Sequence, residues 1–197
     1  AEKLKQQFPG AVVACLPVDV SQHDSVAQAT RQTIAIAPVD ALVCCAGITG
    51  PNTKVWDYPV DAWQQVMNVN INGVFLCCRE AFIYMEKQAS GGRIINMGSS
   101  STRVASGPGH SPYRASKHGM LGFSKNILLE GMHKNIGVTI LNPSHVKTPM
   151  TEIIDKGLYD GNLEAYTDGW LDEKELKEGI HASCIEVDNV AWLALYV

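Results

Sequence analysis

The 197-residue sequence is poor in the features that mark specialised chains, and each shortage excludes something. It has no excess of base, with 16 Lys and Arg against 20 Asp and Glu and a net charge of −4, so no electrostatic footprint for nucleic acid is present. The six cysteines (Cys15, Cys44, Cys45, Cys77, Cys78 and Cys184) contain no C-x-x-C, which argues against a structural zinc or a thioredoxin-type pair. Most of them sit in apolar runs, as suits buried thiols kept reduced in a cytoplasmic setting. None of the six histidines stands in H-E-x-x-H or another metal-binding spacing, so no metal is expected. No signal peptide is visible. The longest uncharged run, Ala62 to Cys78, carries Gln64, Gln65, Asn68, Asn70 and Asn72 and is too polar to cross a bilayer. Repeats and low-complexity stretches are absent as well. These exclusions predict a soluble, cytoplasmic protein that forms one domain over residues 1–197, with a sizeable core.

What is present is alternation. Residues 11–18 read as a strand and Asp24 to Ile36 as an amphipathic helix. Asp40 to Gly47 is a short, almost wholly apolar run, the pattern of a parallel strand buried on both faces. A long helix is expected from about Val60 to Gln88, broken by Ser90-Gly91-Gly92. Arg93 to Met97 is a further strand, Tyr113 to Lys134 a second long helix, and Gly137 to Pro143 a strand closed by proline. Strand and helix in strict succession predict an α/β, doubly wound parallel sheet, with ligands at the C-terminal ends of its strands. Charge is uneven along the chain: residues 1–150 carry 13 basic and 9 acidic side chains, residues 151–197 carry 3 and 11. The acidic stretch within 149–187 is expected to be a substrate lid, or else a plain solvated excursion. Both ends look cut, since Leu4 and Phe8 are spaced like a helix tail and Asp188 to Val197 like a helix with no strand after it.

The strongest constellation is Tyr113-Arg114-Ala115-Ser116-Lys117. On a helix i and i+4 share a face, so phenol and ammonium meet, and a nearby cation favours phenolate. That would make Tyr113 a usable proton donor or acceptor near neutral pH. Taken alone the pair is equally a solvated Tyr–Lys contact. The serine cluster Ser99-Ser100-Ser101 ends the preceding strand 12 to 14 residues before Tyr113, where a hydroxyl can hold a substrate oxygen. Asn68, Asn70 and Asn72 lie in an apolar helical run, although asparagine is a poor interior choice there. Either they tie helix ends to strands, or a local bulge frees groups that hold a water.

Together these residues resemble the short-chain dehydrogenase/reductase family over essentially the whole chain. Tyr113-x-x-x-Lys117 is similar to its Y-x-x-x-K and Asn70-Ile71-Asn72-Gly73 to its N-x-x-G. Val18-Asp19-Val20 resembles its adenine-contacting Asp, Cys44-Cys45-Ala46-Gly47 stands in place of N-N-A-G, and Pro143-Ser144-His145-Val146-Lys147-Thr148 is similar to P-G-x-V-x-T. The resemblance implies a Rossmann-like fold and hydride transfer between NAD or NADP and a small secondary alcohol or ketone. Tyr113 would be the general acid or base and Lys117 its partner, also binding the ribose hydroxyls. Ser99 or Ser100 would hold the substrate oxygen, and Asn70 would anchor a relay water. Strand register favours Ser99 and the interval to Tyr113 favours Ser100, with Ser100 preferred. Cofactor contacts would come from Asp19, Val20, Cys45, Ala46, Gly47, Tyr113, Lys117, Pro143, Val146 and Thr148. Helices 60–88 and 113–134 would pair copies into a homodimer or homotetramer.

The pattern departs from the family where the asparagines of N-N-A-G are cysteines, weaker hydrogen-bonding groups, and where Ser144 replaces a glycine. No G-x-x-x-G-x-G occurs before the first strand, so a βαβ unit of roughly 30 residues that cradles the pyrophosphate is expected to be missing. A polyol or sugar-like substrate competes with a 3-oxoacyl thioester, and the acidic, tryptophan-containing lid favours the former. Two other readings stand beside this one. The chain would be a truncated or pseudo-enzyme subunit that only assembles, or an α/β serine hydrolase; Gly98-Ser99-Ser100-Ser101-Thr102 lacks the closing glycine of G-x-S-x-G.

Overall fold

The computed structural model describes residues 2–102, 109–143, 146, 148 and 150. Ser144, His145 and Lys147, the lid over 149–187 except Met150, and the closing helix lie outside the described residues.

Three parallel strands, β1 (Ala41–Cys44), β2 (Gly92–Met97) and β3 (Ile136–Leu141), pair in the order β1-β2-β3. Ala41 lies beside Arg93 and Gly92 beside Ile136, which fixes the register. Parallel neighbours need helical crossovers. The first is α3 (Val60–Met67), a π-helical turn (Asn68–Asn72) and α4 (Gly73–Met85) in one unbroken run; the second is α5 (Ser111–Gly131). Two helices precede β1: α1 (Glu2–Gln7) and α2 (His23–Ile34), which packs on α4. The expected helices over 60–88 and 113–134 are therefore present with shifted ends. Pro112 falls in the first turn of α5, where its missing N–H costs no hydrogen bond. Asn135 in the left-handed region (φ 53°) ends the 3₁₀ turn after α5, and its carbonyl accepts from Gly92 N–H at 3.2 Å. Gly91 (φ 67°) passes so close to that carbonyl that a Cβ would collide with main chain.

Alternate residues of a strand face opposite ways. Leu42, Cys44, Ile94, Ile136, Val138 and Ile140 meet Val74, Cys78, Ala81 and Met85 of α4 and Met120 and Ile127 of α5, forming the core. In β2 both faces are buried, with Ile94 and Ile95 both inside. In β1 the burial of both faces expected from the apolar run Asp40 to Gly47 is not found, because Val43 on the other face is 44% exposed with no described element packed over it.

The strand read over residues 11–18 does not form. Val12 is 86% and Val18 48% exposed, and the segment pairs with no strand among the described residues. β-branched side chains supply a surface, but only a neighbour supplies the ladder, and none of the described strands lies beside this segment.

Candidate active site

The C-terminal ends of the three strands converge, and short hydrogen bonds hold the turns that follow them. Gly98 N–H donates to Leu141 O at 2.6 Å, Ser99 N–H to Asn142 Oδ1 at 3.1 Å and Ser100 N–H to Pro143 O at 2.9 Å. The serine turn after β2 is thus clamped to the end of β3, with Pro143 half-buried between them. Ser101 donates both its N–H (3.2 Å) and its hydroxyl (2.7 Å) to Ser99 Oγ. With its oxygen accepting twice, Ser99 has its own proton to donate, and the hydroxyl gives it to Tyr113. Ser100 instead starts a 3₁₀ turn over Ser100–Thr102. Of the two serines, the geometry sets Ser99, not the preferred Ser100, against the phenol.

Tyr113 is in the first turn of α5. Burial pushes its phenol above the ordinary tyrosine value, and the Ser99 hydrogen bond pulls it partway back. Lys117 lies one turn on, with Nζ 5.6 Å from the Tyr113 ring centroid, and donates to Met97 O at 2.6 Å. The lowering of the phenol expected from this lysine is not what the geometry gives, because the ammonium sits over the ring and bonds a carbonyl. Desolvation lowers the lysine itself to about 8, against a small opposing pull from Cys45.

Asn70 is fully buried at the centre of the π-helical turn. Its Oδ1 accepts from Ile48 N–H at 2.8 Å, while Nδ2 donates to Ile48 O at 2.8 Å and to Ser116 Oγ at 3.1 Å. Ser116 in turn donates to Tyr113 O at 2.7 Å. The bulge expected around the asparagines is real, yet the Asn70 amide grips protein on every side. Asn68 and Asn72 bond each other on the exposed face at 2.8 Å.

After β1 the chain passes through Cys45 and Ala46, both exposed, to half-buried Gly47. Partial desolvation by the protein around the Cys45 sulfur raises its thiol, and the Lys117 charge pulls it back. A Cβ on Gly47 would stand 3.5 Å from Asn70 Oδ1 and 3.9 Å from Lys117 Nζ, so this glycine opens directly onto the site. Asp19 lies apart, at the entry to α2, where its Oδ1 accepts from Ser21 N–H at 2.9 Å and Ser21 Oγ at 2.7 Å. Val20 beside it packs on Gly73. Val146 and Thr148 are half-buried beyond β3, and both make interactions of their own. The structure therefore gathers Asn70, Gly47, Ser99, Tyr113 and Lys117 around one point and leaves Asp19 and Val20 apart from it, at the entry to α2. Sequence reading missed Ser116, Ile48, Met97 and Asn142, the last three of which act through main chain or a turn. Ser116 alone carried a signal, a small polar residue between Tyr113 and Lys117 on the same helix.

These residues fit the ribose end of a nicotinamide dinucleotide. An ammonium has three N–H donors, and Lys117 spends one on Met97, leaving donors aimed beside Gly47 for a vicinal pair of hydroxyls. No glycine-rich phosphate turn is found among the described residues.

Comparison with known proteins points one way. A sequence model described as short chain dehydrogenase matches residues 1–158. A 2-dehydro-3-deoxy-L-rhamnonate dehydrogenase (NAD(+)) from Sphingomonas sp. (strain SKA58) is 37% identical over 144 residues, covering 73% of this chain and 57% of that protein. A D-beta-hydroxybutyrate dehydrogenase from Rhizobium meliloti (strain 1021) is 33% identical over 184 residues, covering 92% of this chain and 69% of that protein. Among solved structures, levodione reductase superposes with a TM-score of 0.76 at 26% identity, over 82% of this chain and 62% of its own. The chain thus spans little more than half the length of the Sphingomonas relative.

Proposed function

The chain belongs to the short-chain dehydrogenase family, and from that premise we propose that the protein interconverts a secondary alcohol and a ketone with NAD or NADP. The observation that carries this reading is the meeting of Ser99, Tyr113 and Lys117 at one strand end. In reduction Tyr113 Oη gives its proton to the substrate oxygen, and in oxidation it takes it. Ser99 turns its proton from the phenol to that same oxygen when the substrate binds, and holds it within reach of Tyr113. Lys117 binds the ribose hydroxyls with its remaining donors. Pro143, Val146 and Thr148 border the nicotinamide, while Asp19 and Val20 face the adenine end. The nicotinamide, when bound, supplies or accepts the hydride. Asn70 acts as a latch that keeps Ile48 and Ser116 in place, and any relay water falls to main-chain carbonyls, since its amide is committed.

The substrate class we favour is polyol or sugar-like over a 3-oxoacyl thioester, in keeping with the name of the Sphingomonas relative. We place the protein in the cytoplasm as a dimer or tetramer built through α3–α4 and α5. No helix among the described residues is long and apolar enough to cross a membrane.

Replacing Tyr113 with Phe deletes the proton-carrying hydroxyl and keeps the ring. Turnover is expected to fall by about 10²–10⁴-fold with binding of NADH or NADPH unchanged in a fluorescence titration. Turnover that survives the change would sink the mechanism, and cofactor binding without turnover in the parent protein would favour the assembling pseudo-enzyme.

A further inference from the structure

We propose that Ser116 is a positioning residue for the reaction. Its hydroxyl couples the loop after β1 to the stretch of α5 that carries Tyr113, and so holds the proton carrier against Ser99. This deepens the oxidoreductase reading and rests on it for the role of Tyr113.

A serine inside a helix commonly donates to a carbonyl one turn back, and Ser116 does so, to Tyr113 O at 2.7 Å. What sets it apart is a second bond. Ser116 Oγ accepts from Asn70 Nδ2 at 3.1 Å, across 46 residues of chain, at a point with no exposure to solvent. Asn70 in turn holds both main-chain groups of Ile48 at 2.8 Å. An unbroken series of hydrogen bonds therefore runs from the loop after β1 through Asn70 and Ser116 to the Tyr113 carbonyl. Bonds in series, shut away from water, reinforce one another. The Ser116 hydroxyl is committed to protein in both directions, so it acts on the reaction through Tyr113 and not by touching the reacting atoms.

The next residue, Lys117, donates to Met97 O at 2.6 Å and ties the same stretch of helix to the end of β2. Successive helix residues point about 100° apart, so the two tethers pull on different sides of α5 and fix its roll about its own axis. That roll sets the Tyr113 phenol against the Ser99 hydroxyl, to which it is hydrogen-bonded. Ser116→Ala would favour the helix by propensity, yet it would cut one tether and leave an Asn70 N–H buried and unpaired. Farther along α5, Ser124 offers a comparison within the same element. It is 4% exposed, and its Oγ accepts from Asn96 Nδ2 at 2.9 Å. Ser116→Ala and Ser124→Ala thus remove like bonds from like surroundings, but Ser124 lies about two turns beyond the site.

The test compares the full-length protein with its Ser116→Ala, Ser116→Thr and Ser124→Ala variants, using butane-2,3-diol as the alcohol with NAD and with NADP. Ser116→Ala should lower kcat by about 10–100-fold. KM for the dinucleotide should change less than about twofold, because Asn70 still latches Ile48. Ser116→Thr, which restores the hydroxyl, should recover most of kcat, and Ser124→Ala should change kcat less than about twofold. Carbon-13 NMR of labelled tyrosine, with the Tyr113 resonance identified by its loss in Tyr113→Phe, reads the phenol without turnover. The Ser99 bond pulls the phenol down, so loosening it in Ser116→Ala should move the Tyr113 titration to higher pH. Ser124→Ala should leave that titration in place. Equal losses of kcat in the two alanine variants, no loss in Ser116→Ala, or an unmoved Tyr113 titration in Ser116→Ala would each overturn the proposal. Should the added methyl of Ser116→Thr not fit, the comparison with Ser124→Ala and the titration still decide. A parent protein that turns over no alcohol would sink the oxidoreductase reading instead, and the Tyr113 titration would then judge the tether alone by the same criterion.

Discussion

Lys117 is the residue where burial and function meet. Its ammonium has been taken out of water for a single carbonyl, and desolvation brings it from 10.5 to about 8. Below about pH 8 it is charged in both folded and unfolded chains, and the fold carries the whole desolvation cost. Between about 8 and 10.5 the folded protein has shed the proton while the unfolded chain still holds it, so stability rises with pH across that window. The rise attributable to this side chain should be about 3 kcal/mol, taking ~1.4 kcal/mol for each unit. Urea midpoints measured at about pH 7 and about pH 10 should converge on replacing Lys117 with Met, which keeps the stem and drops the charge. A variant whose midpoints differ as much as the parent's would place the titration elsewhere. At this scale the sequence was legible for residue types and blurred for their aim. Ser99 and Ser100 are one position apart, and an interval counts residues without saying where the turn sends them. The clamp from Ser100 N–H to Pro143 O is made of main chain, and it holds the turn in which the Ser99 hydroxyl is hydrogen-bonded to the phenol.

Helix α4 and the turn before it show how an element carries a site. A regular α-helix has no place for three asparagines in five positions, and a π-helical turn at Asn68–Asn72 accommodates them by widening the chain. The widened turn carries Asn70, whose amide holds both main-chain groups of Ile48, so the helix reaches across to the loop leaving β1. Asn70→Ala would strand the part-buried N–H and carbonyl of Ile48 at once. The expected cost is about 2–4 kcal/mol, with turnover falling further than stability alone explains because Gly47 and Ser116 lose their support. Chemical denaturation and kcat on the same variant check both parts. If stability holds while Ile48 keeps its position, the latch is not what fixes the loop. Here the sequence was legible because local propensity conflicts with the pattern around it. The strand expected over 11–18 shows the opposite case. Its side chains satisfy every local rule, yet pairing is a property of two segments, and no pattern within one of them displays the other.

At the scale of the whole molecule, some of the exposed apolar residues among the described ones form a strip on the outer side of α4 and α5. Phe75 of α4 and Phe123 of α5 pack edge to face with centroids 6.2 Å apart, and Phe75 is left half-exposed. Leu128, Leu129 and Met132 continue that strip along the end of α5, with Leu129 64% exposed. The fold of one copy does not need these side chains buried, since the core lies on the other side of α4 and α5. A second copy applying the same strip about a twofold axis would bury them, as proposed above for these helices. Leu129→Glu puts a charge where little of the monomer's own packing is at stake, so it separates assembly from folding. Sedimentation should show the parent as a dimer or larger and the variant shifted to monomer, with an unchanged circular dichroism spectrum. A variant that sediments like the parent would mean that copies meet through another face.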